Sequence, residues 1–161
     1  EMRSNHAGET GAVWIYKGIL ALSVGGEIRS FAEHHLATEQ EHLAFFEDWL
    51  SSGHKSLFLP LWRLSGFILG AVAALGGRRW VYASIEAVET FVVQHYESQY
   101  PALDEYGDAV LFSAIRQFCS DEASHRDEAG SEASQRSTFL NAWCSLVSFG
   151  SEQAVKIARK I

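Results

Sequence analysis

Two short motifs, each with a glutamate three positions before a histidine, constrain this chain more than any other feature. They are Glu39 with His42 and Glu122 with His125. Residues three apart lie on the same face of an α-helix, so each motif can direct a carboxylate and an imidazole toward one point. The motifs therefore favour helices.

Two further glutamates precede these motifs at similar distances. Glu9 lies 30 residues before Glu39, and Glu89 lies 33 residues before Glu122. Such an interval fits one helix, a turn and the return of the next helix. One glutamate on each of two helices, with Glu-x-x-His on each of two others, is the ligand set of di-iron carboxylate four-helix bundles. We therefore predict an all-α, ferritin-like four-helix bundle with a metal site inside it.

Length and composition agree with a helical fold. A chain of 161 residues with 47% apolar content predicts a single domain over residues 1–161. It has only two prolines and no alternating apolar stretch, so long helices are favoured over strands. A net charge of −7 without a basic stripe argues against nucleic-acid binding. Cys119 and Cys144 lack Cys-x-x-Cys spacing, so we interpret them as core residues.

Apolar residues at helical spacing predict where the helices lie. The predicted helices cover about 5–24, 27–51, 57–77, 79–100 and 109–128, and a last one begins near 138. Turns are expected at Gly25-Gly26, at 51–55 and at 104–108 with Gly107, and 128–137 is expected to be a polar linker. Glu9 shares the apolar face of its helix. It therefore needs a cation, a partner or a proton there.

The residues alone leave one candidate ligand undecided. Glu86 shares a helix face with Glu89 one turn earlier, so periodicity does not choose between them. His95 and Tyr96 follow on the same helix as candidate hydrogen-bond donors to a ligating carboxylate.

Two histidines compete with the main motifs as metal ligands. His34 and His35 precede Glu39 on the same predicted helix, and His35 lies one turn before it. We interpret both as surface or capping histidines rather than ligands.

The segment 57–77 is the most apolar part of the chain. Its charge-free run after Arg63 is 14 residues, shorter than the roughly 20 that cross a bilayer. Aromatic and basic residues flank it: Trp62, Arg63, Arg78, Arg79 and Trp80. These features predict a helix that lies in a membrane surface or lines an apolar substrate channel, with a wholly buried core helix as the alternative. Small residues predict close helix contact: Ser65, Gly66, Gly70 and Ala74.

Basic residues end the last predicted helix. Lys156, Arg159 and Lys160 suit a helix C-terminus, which is our interpretation, and contact with anionic lipid is the alternative.

With these residues the chain resembles the demethoxyubiquinone hydroxylases of ubiquinone biosynthesis, the Coq7 family. The matching segments span nearly the whole chain: Asn5 to Glu9 with Gly11 and Ala12, Glu39 to Leu43, Pro60 to Trp62, Gly66 to Ala71, Val88-Glu89, His95-Tyr96, and Asp121-Glu122 with His125 and Asp127. The resemblance implies two iron ions held by six ligands: Glu9, Glu39, His42, Glu89, Glu122 and His125. It thereby favours Glu89 over Glu86.

The resemblance also implies roles beside the metal site, and it is imperfect. His95 and Tyr96 are expected to orient a ligand and the quinone ring and to take part in electron or proton transfer. The sequence departs from the family pattern at four positions: Thr10, Thr90, Gln94 and Arg126, where Tyr, Glu, His and His are common.

The activity implied is that of a monooxygenase that hydroxylates the ring of 5-demethoxyubiquinol (5-demethoxyubiquinone) with O2, with NADH as the reductant. The implied partners are a quinol with an isoprenoid tail, a membrane surface and a lipid-binding accessory protein, and we also consider a homo-oligomer. The expected location is the cytoplasmic face of a bacterial inner membrane or the matrix face of the mitochondrial inner membrane. Alternatives are a ferritin-like iron-storage protein, a metal-free helical adaptor, and manganese in place of iron.

Overall fold

A computed structural model of the chain describes residues 1–23, 26–106, 108–133 and 136–161. Within those residues there are seven α-helices, one short 3-10 turn and no strand. The helices are α1 (Met2–Leu22), α2 (Gly26–Trp49), α3 (Leu59–Gly76), α4 (Arg78–Glu97), α5 (Tyr100–Tyr106), α6 (Ala109–Glu132) and α7 (Thr138–Ala158), and the 3-10 turn is Ser52–His54. The predicted all-α class is confirmed.

The chain forms two compact units. Unit 1 comprises Glu1–Val81 and Glu152–Ile161, and unit 2 comprises Tyr82–Ser151. The expectation of a single domain over 1–161 stays a prediction, because compact units defined by their internal contacts need not fold independently.

In unit 1, α1 packs against both α2 and α3. Its core is made by apolar side chains that include Tyr16, Ile19 and Phe46, all fully buried. Where α1 meets α3 the two backbones touch: a Cβ at Gly66 would overlap the carbonyl oxygen of Gly11, and a Cβ at Gly70 that of Ile15. Glycine at these positions therefore permits an approach that any side chain would block.

The close contact predicted for α3 is thus confirmed at Gly66 and Gly70, with two differences in the small-residue stripe. Ser65 is exposed, and Ala73 rather than Ala74 is fully buried. The reason is helical phase, since positions 66, 70 and 73 share one face and 65 and 74 lie beside it.

Among the described residues, one face of α3 is covered and the opposite face is exposed. Its exposed apolar residues are Leu61, Leu64, Ile68, Val72 and Leu75, and Leu57 and Phe58 before the helix are also exposed. The alternative of a wholly buried core helix is therefore wrong. By length and composition alone α3 could cross a membrane, and it is the one such helix in the described residues.

In unit 2, side chains form the contacts between helices described next. The indole N–H of Trp143 on α7 donates to Ser84 Oγ on α4 at 2.8 Å. Cys144 Sγ lies 3.4 Å from the carbonyl oxygen of Ala83. Cys119 and Cys144 are both buried, as predicted, and burial raises the pKa of each thiol.

Several predicted boundaries differ from the observed ones. The helix expected at 79–100 ends at Glu97, and α5 begins at Tyr100 with Pro101 as its second residue. Proline is tolerated there because the first N–H groups of a helix have no intrahelical partner. The prediction of a turn at 104–108 is therefore wrong for residues 104–106, which belong to α5. The linker expected from 128 begins later, because α6 continues to Glu132.

Other boundaries are close to the predictions. Helix α1 ends at Leu22 and α2 begins at Gly26, whereas Gly25 and Gly107 lie outside the described residues. The side chain of Asp108 caps α6 by accepting a hydrogen bond from the Val110 N–H at 2.7 Å.

Candidate metal centre

Unit 1 contains a triad of two glutamates and a histidine. Glu9 projects from α1, and Glu39 and His42 project from α2. One ligand atom from each lies within 4.8 Å of the others. All three side chains are buried, at 3%, 1% and 2% exposure. His42 Nδ1 is 3.7 Å from Glu9 Oε2. The triad thus joins the two helices at one point.

The sequence places these groups inside for a local reason. Glu9 lies on the stripe of α1 that also carries Val13 and Tyr16, and both are buried. On α2, His42 and the fully buried Phe46 are one turn apart. Packing of the apolar residues therefore carries the polar groups into the interior.

Unit 2 contains a second triad of the same composition. Glu89 projects from α4, and Glu122 and His125 project from α6. One ligand atom from each again lies within 4.8 Å of the others, and all three are buried. Here the histidine contacts the glutamate of its own motif, since His125 Nδ1 and Glu122 Oε2 are 3.0 Å apart. In unit 1 the corresponding contact joins His42 on α2 to Glu9 on α1.

The donor set of each triad fits a divalent metal ion. Two carboxylates and an imidazole are converged in a buried environment, where uncompensated negative charge carries a large desolvation cost. A bound cation, or protons, would offset that cost. Carboxylate oxygen with imidazole nitrogen is a set that suits Fe²⁺ and Mn²⁺, and the absence of thiolates argues against a structural zinc site.

Glu86 is engaged elsewhere in unit 2. Its Oε2 forms an ion pair with the guanidinium of Arg136, and the same guanidinium lies 3.7 Å from Cys144 Sγ. Glu89, one turn later, lies in the triad instead. The two glutamates that periodicity left equivalent are therefore distinguished by their neighbours.

His95 and Tyr96 are both buried near the end of α4, at 8% and 1% exposure. The His95 ring stacks on Phe91, with centroids 6.0 Å apart, and on Tyr96 at 6.1 Å. The stacking holds the imidazole in one orientation. Tyr96 lies seven residues after Glu89, which is two helical turns along the same face.

The histidines before Glu39 differ from each other. His34 is exposed, as interpreted, but His35 is 1% exposed, so its interpretation as a surface or capping residue is wrong. His35 is packed between the rings of Phe31, at 4.2 Å, and Tyr16, at 5.9 Å. It belongs to neither triad in the described residues.

His6, to which the sequence patterns assign no role, is fully buried in unit 1. Neither of its ring nitrogens makes a hydrogen bond within the part of the chain that the structure describes, and Nε2 is 3.9 Å from Glu47 Oε1. Burial, with help from the positive charges of Lys55 and Arg63, lowers the pKa of His6, and Glu47 opposes the change. The available signal was its position one turn before Glu9 on the same face.

Three departures from the family pattern have defined contacts. Thr10 Oγ1 donates to the His6 carbonyl oxygen at 2.8 Å, and Thr90 Oγ1 to that of Glu86 at 2.6 Å. Both hydroxyls are thus satisfied within their own helix. Arg126 pairs with Asp127 at 2.7 Å, and Gln94, the fourth departure, is exposed. None of the four replaces a member of a triad.

Known proteins resemble this chain over nearly its whole length. The family model described as "Ubiquinone biosynthesis protein COQ7" matches residues 1–158. The 3-demethoxyubiquinol 3-hydroxylase of Rhodospirillum rubrum is 30% identical over 99% of this chain and 76% of its own length.

Two relatives are named NADPH-dependent 3-demethoxyubiquinone 3-hydroxylase, mitochondrial. The protein of Dictyostelium discoideum is 31% identical over 99% of this chain and 76% of its own length. That of Caenorhabditis elegans is 30% identical over 99% of this chain and 88% of its own length. The helical architecture agrees with the ferritin-like fold expected for such proteins. The chain therefore belongs to the COQ7 family of ubiquinone biosynthesis proteins.

Proposed function

We propose that this protein is a di-iron monooxygenase that hydroxylates the ring of a demethoxyubiquinol with O2 in ubiquinone biosynthesis. The observation that carries the proposal is the buried glutamate, glutamate and histidine triad present in each unit. Family membership supports it, because relatives across most of the chain are named for this hydroxylation. The relatives' names number the ring position 3, where our expectation used 5, and we adopt their numbering.

The six triad residues are the proposed iron ligands: Glu9, Glu39, His42, Glu89, Glu122 and His125. From the ligand pattern of di-iron carboxylate bundles and from the family, we infer that these residues hold two ions. Four carboxylates carry about −4, which two ferrous ions would neutralise. When bound, the irons would supply the activation of O2, and manganese is the alternative metal.

The protein's own groups have separate proposed tasks. The triads are buried, so a bound cation would offset the cost of removing their carboxylates from water. His95 and Tyr96 are proposed to orient a ligand and the quinol ring and to move a proton or an electron. The fixed ring stacking of His95 is compatible with such a positioning role.

The reductant is proposed to be a reduced nicotinamide nucleotide. Our expectation from the sequence was NADH, whereas the names of the relatives from Dictyostelium discoideum and Caenorhabditis elegans specify NADPH. Turnover with each nucleotide in parallel distinguishes the two.

The proposed substrate enters from a membrane. An isoprenoid tail is apolar, and the uncovered apolar face of α3 in unit 1 offers a matching surface. We accordingly propose a peripheral membrane location, on the cytoplasmic face of a bacterial inner membrane or the matrix face of the mitochondrial one. A lipid-binding accessory protein, implied by the resemblance, and a homo-oligomer stay proposals.

The first test is an anaerobic Fe(II) titration of the metal-free protein, read as ions bound per chain. We expect about two ions, and a lower count for Glu122→Ala and for His42→Ala with helix content preserved. The matched control is Glu86→Gln, which removes an acid one turn from Glu89 but outside the triads and should leave the count unchanged.

Other titration results would contradict the proposal. If no Fe(II) binds, the triads are not metal sites and the proposal is wrong. A much larger number of ions per chain would point to iron storage. If binding is as expected, hydroxylation of a demethoxyubiquinol under O2 is the activity to measure, and both triad variants should be inactive.

A further inference from the structure

The exposed apolar face of α3 is bordered by basic side chains of unit 1. Lys55 lies in the turn before α3, Arg63 is exposed in its second turn, and Arg79 is exposed just after its end. In the described residues none of these three forms an ion pair. The apolar face is thus flanked at both ends by uncompensated positive charge.

The end of α7 adds further cations at the start of α3. Ala158 of α7 forms an apolar cluster with Trp62 and Ala7, and Ala154 packs against it. This packing brings three basic residues to the same end of unit 1: Lys156, Arg159 and Lys160. Ile157 between them is 41% exposed, which extends the apolar surface.

Two of these three cations are already paired, and one is not. Lys156 pairs with Glu152 at 2.6 Å, and Arg159 pairs with Glu1 at 2.9 Å. Lys160 is exposed and forms no ion pair with any described residue. Lys55, Arg63 and Lys160 are therefore the cations at this end that remain able to bind an external anion.

Most lysines and arginines of this acidic chain lie in unit 1. Unit 1 has ten lysines and arginines against nine aspartates and glutamates, a net charge of +1, whereas unit 2 has three against eleven, a net charge of −8. An acidic chain thus keeps most of its cations in the unit that also exposes an apolar helix. A neutral lipid surface would interact with the apolar face alone, and the cations would add nothing.

From this arrangement we propose that the partner of unit 1 is an anionic phospholipid bilayer, with α3 lying in its surface and Lys55, Arg63 and Lys160 contacting headgroup phosphates. The inference deepens the membrane part of the proposed function and rests on it. An in-plane position follows from the glycine contacts, since α3 is joined to α1 at Gly66 and Gly70.

A spanning position for α3 conflicts with those contacts. Helix α1 carries buried polar groups that include Asn5, His6 and Glu9, and it would have to accompany α3 into the bilayer. A surface position leaves α1 on the side away from the lipid. The apolar stripe of α3 then enters the headgroup boundary while the flanking cations stay at phosphate depth.

The test is sedimentation of the protein with vesicles of phosphatidylcholine alone and with about 30 mol % phosphatidylglycerol, at low and high salt. We expect at least tenfold tighter binding to the anionic vesicles, and loss of that preference at roughly 0.5 M salt, where screening is strong. Lys55→Gln, Arg63→Gln and Lys160→Gln should each weaken anionic binding about fivefold. Binding to neutral vesicles should not change.

Matched controls remove the same charge elsewhere. The control variants are Lys17→Gln, Arg29→Gln and Arg116→Gln. None of these residues is among the proposed headgroup contacts, so each variant should keep the preference for anionic vesicles. Leu64→Asp with Ile68→Asp should abolish binding to both kinds of vesicle. A second readout is the pKa of His6 by NMR, which should rise in anionic nanodiscs, because phosphates would neutralise Lys55 and Arg63 and thereby relieve their effect on it.

Three results would overturn the inference. Equal binding to neutral and anionic vesicles would refute the headgroup contacts while leaving a membrane-facing α3 intact. Binding to neither would refute both, with the metal titration still testing the enzyme. Retention on immobilised poly-glutamate without binding to anionic vesicles would show that Lys55, Arg63 and Lys160 recognise an acidic protein instead of a lipid surface.

Discussion

The two units carry the same triad in unlike surroundings. In unit 1 the ligand-bearing α1 touches α3 through backbone atoms at Gly66 and Gly70, whereas in unit 2 side chains such as Trp143 on α7 and Ser84 on α4 join the helices. Their net charges, +1 and −8, differ as well. A repeated site therefore does not require a repeated scaffold, since only the ligand positions have to converge.

The difference has an energetic consequence. Backbone contacts cannot relax, because atoms on both sides are fixed by helical hydrogen bonds, whereas a side chain can change its rotamer. Unit 1 should thus be less tolerant than unit 2 of added volume between its helices. Two comparisons between the units and one pH dependence within unit 1 examine the difference, from the largest expected effect to the smallest.

The largest effect is expected for Gly70→Ala. The added methyl group would overlap the carbonyl oxygen of Ile15, so α1 and α3 would have to separate. Overpacking of this kind costs about 1–3 kcal/mol, which urea denaturation of the protein measures as a lower free energy of unfolding. Two control variants place the same methyl group elsewhere.

The first control is Gly8→Ala on α1, where no atom lies within 4 Å of the added Cβ, and it should stabilise by up to about 1 kcal/mol. The second is Gly130→Ala in unit 2, where the nearest atom is a side-chain carbon of Glu86 at 3.3 Å, and its effect should be small. A cost at Gly130 equal to that at Gly70 would refute the contrast between the units.

An intermediate effect is expected when a tryptophan–serine hydrogen bond is removed, and each unit contains one such bond. Trp62 Nε1 donates to Ser56 Oγ at 3.0 Å in unit 1, and Trp143 Nε1 donates to Ser84 Oγ at 2.8 Å in unit 2. Trp62 is buried, and Ser56 also accepts from the Phe58 N–H at 3.2 Å. Trp143 is only half-buried, so water can replace its partner.

Ser56→Ala should therefore cost about 1–3 kcal/mol of unfolding free energy, because it leaves a buried indole N–H unsatisfied. Ser84→Ala should cost about 1 kcal/mol or less. Urea titrations of the two variants side by side measure both values. The reverse order would show that the polar contacts of unit 2, and not those of unit 1, determine stability.

The smallest effect concerns pH and His6. Burial lowers the pKa of His6 in the folded protein, with Lys55 and Arg63 adding to it, so the unfolded chain binds the proton first as pH falls. Above the pKa of the unfolded state, near 6.5, neutral His6 does not reduce the free energy of unfolding. As pH falls from there toward the folded pKa, the unfolded state takes up the proton and the free energy of unfolding decreases.

His6→Gln removes that contribution. From about pH 7 to about pH 5, the free energy of unfolding should fall less in the variant than in the wild type, by about 1 kcal/mol or less. Urea titrations across this range are the measurement. An unchanged slope would show that His6 has the same pKa in both states.

Much of this protein could be predicted from its sequence. The helical class, the buried positions of Glu9 and of both Glu-x-x-His motifs, and the glycine contacts of α3 follow from one rule. Residues three, four or seven apart share a helix face, and an apolar face of a helix is the one that packs when a partner helix is present. Local spacing carries that information without knowledge of any neighbouring helix.

Other properties were decided only by the tertiary structure. Glu86 and Glu89 are equivalent by periodicity, and the position of Arg136, 50 residues along the chain, separates them. His35 is buried because Tyr16 of another helix covers it, and α3 keeps an apolar face exposed because α1 packs on the opposite face, which carries Gly66 and Gly70. Periodicity determines which residues share a face, but only the packing partners determine whether that face meets protein, solvent or lipid.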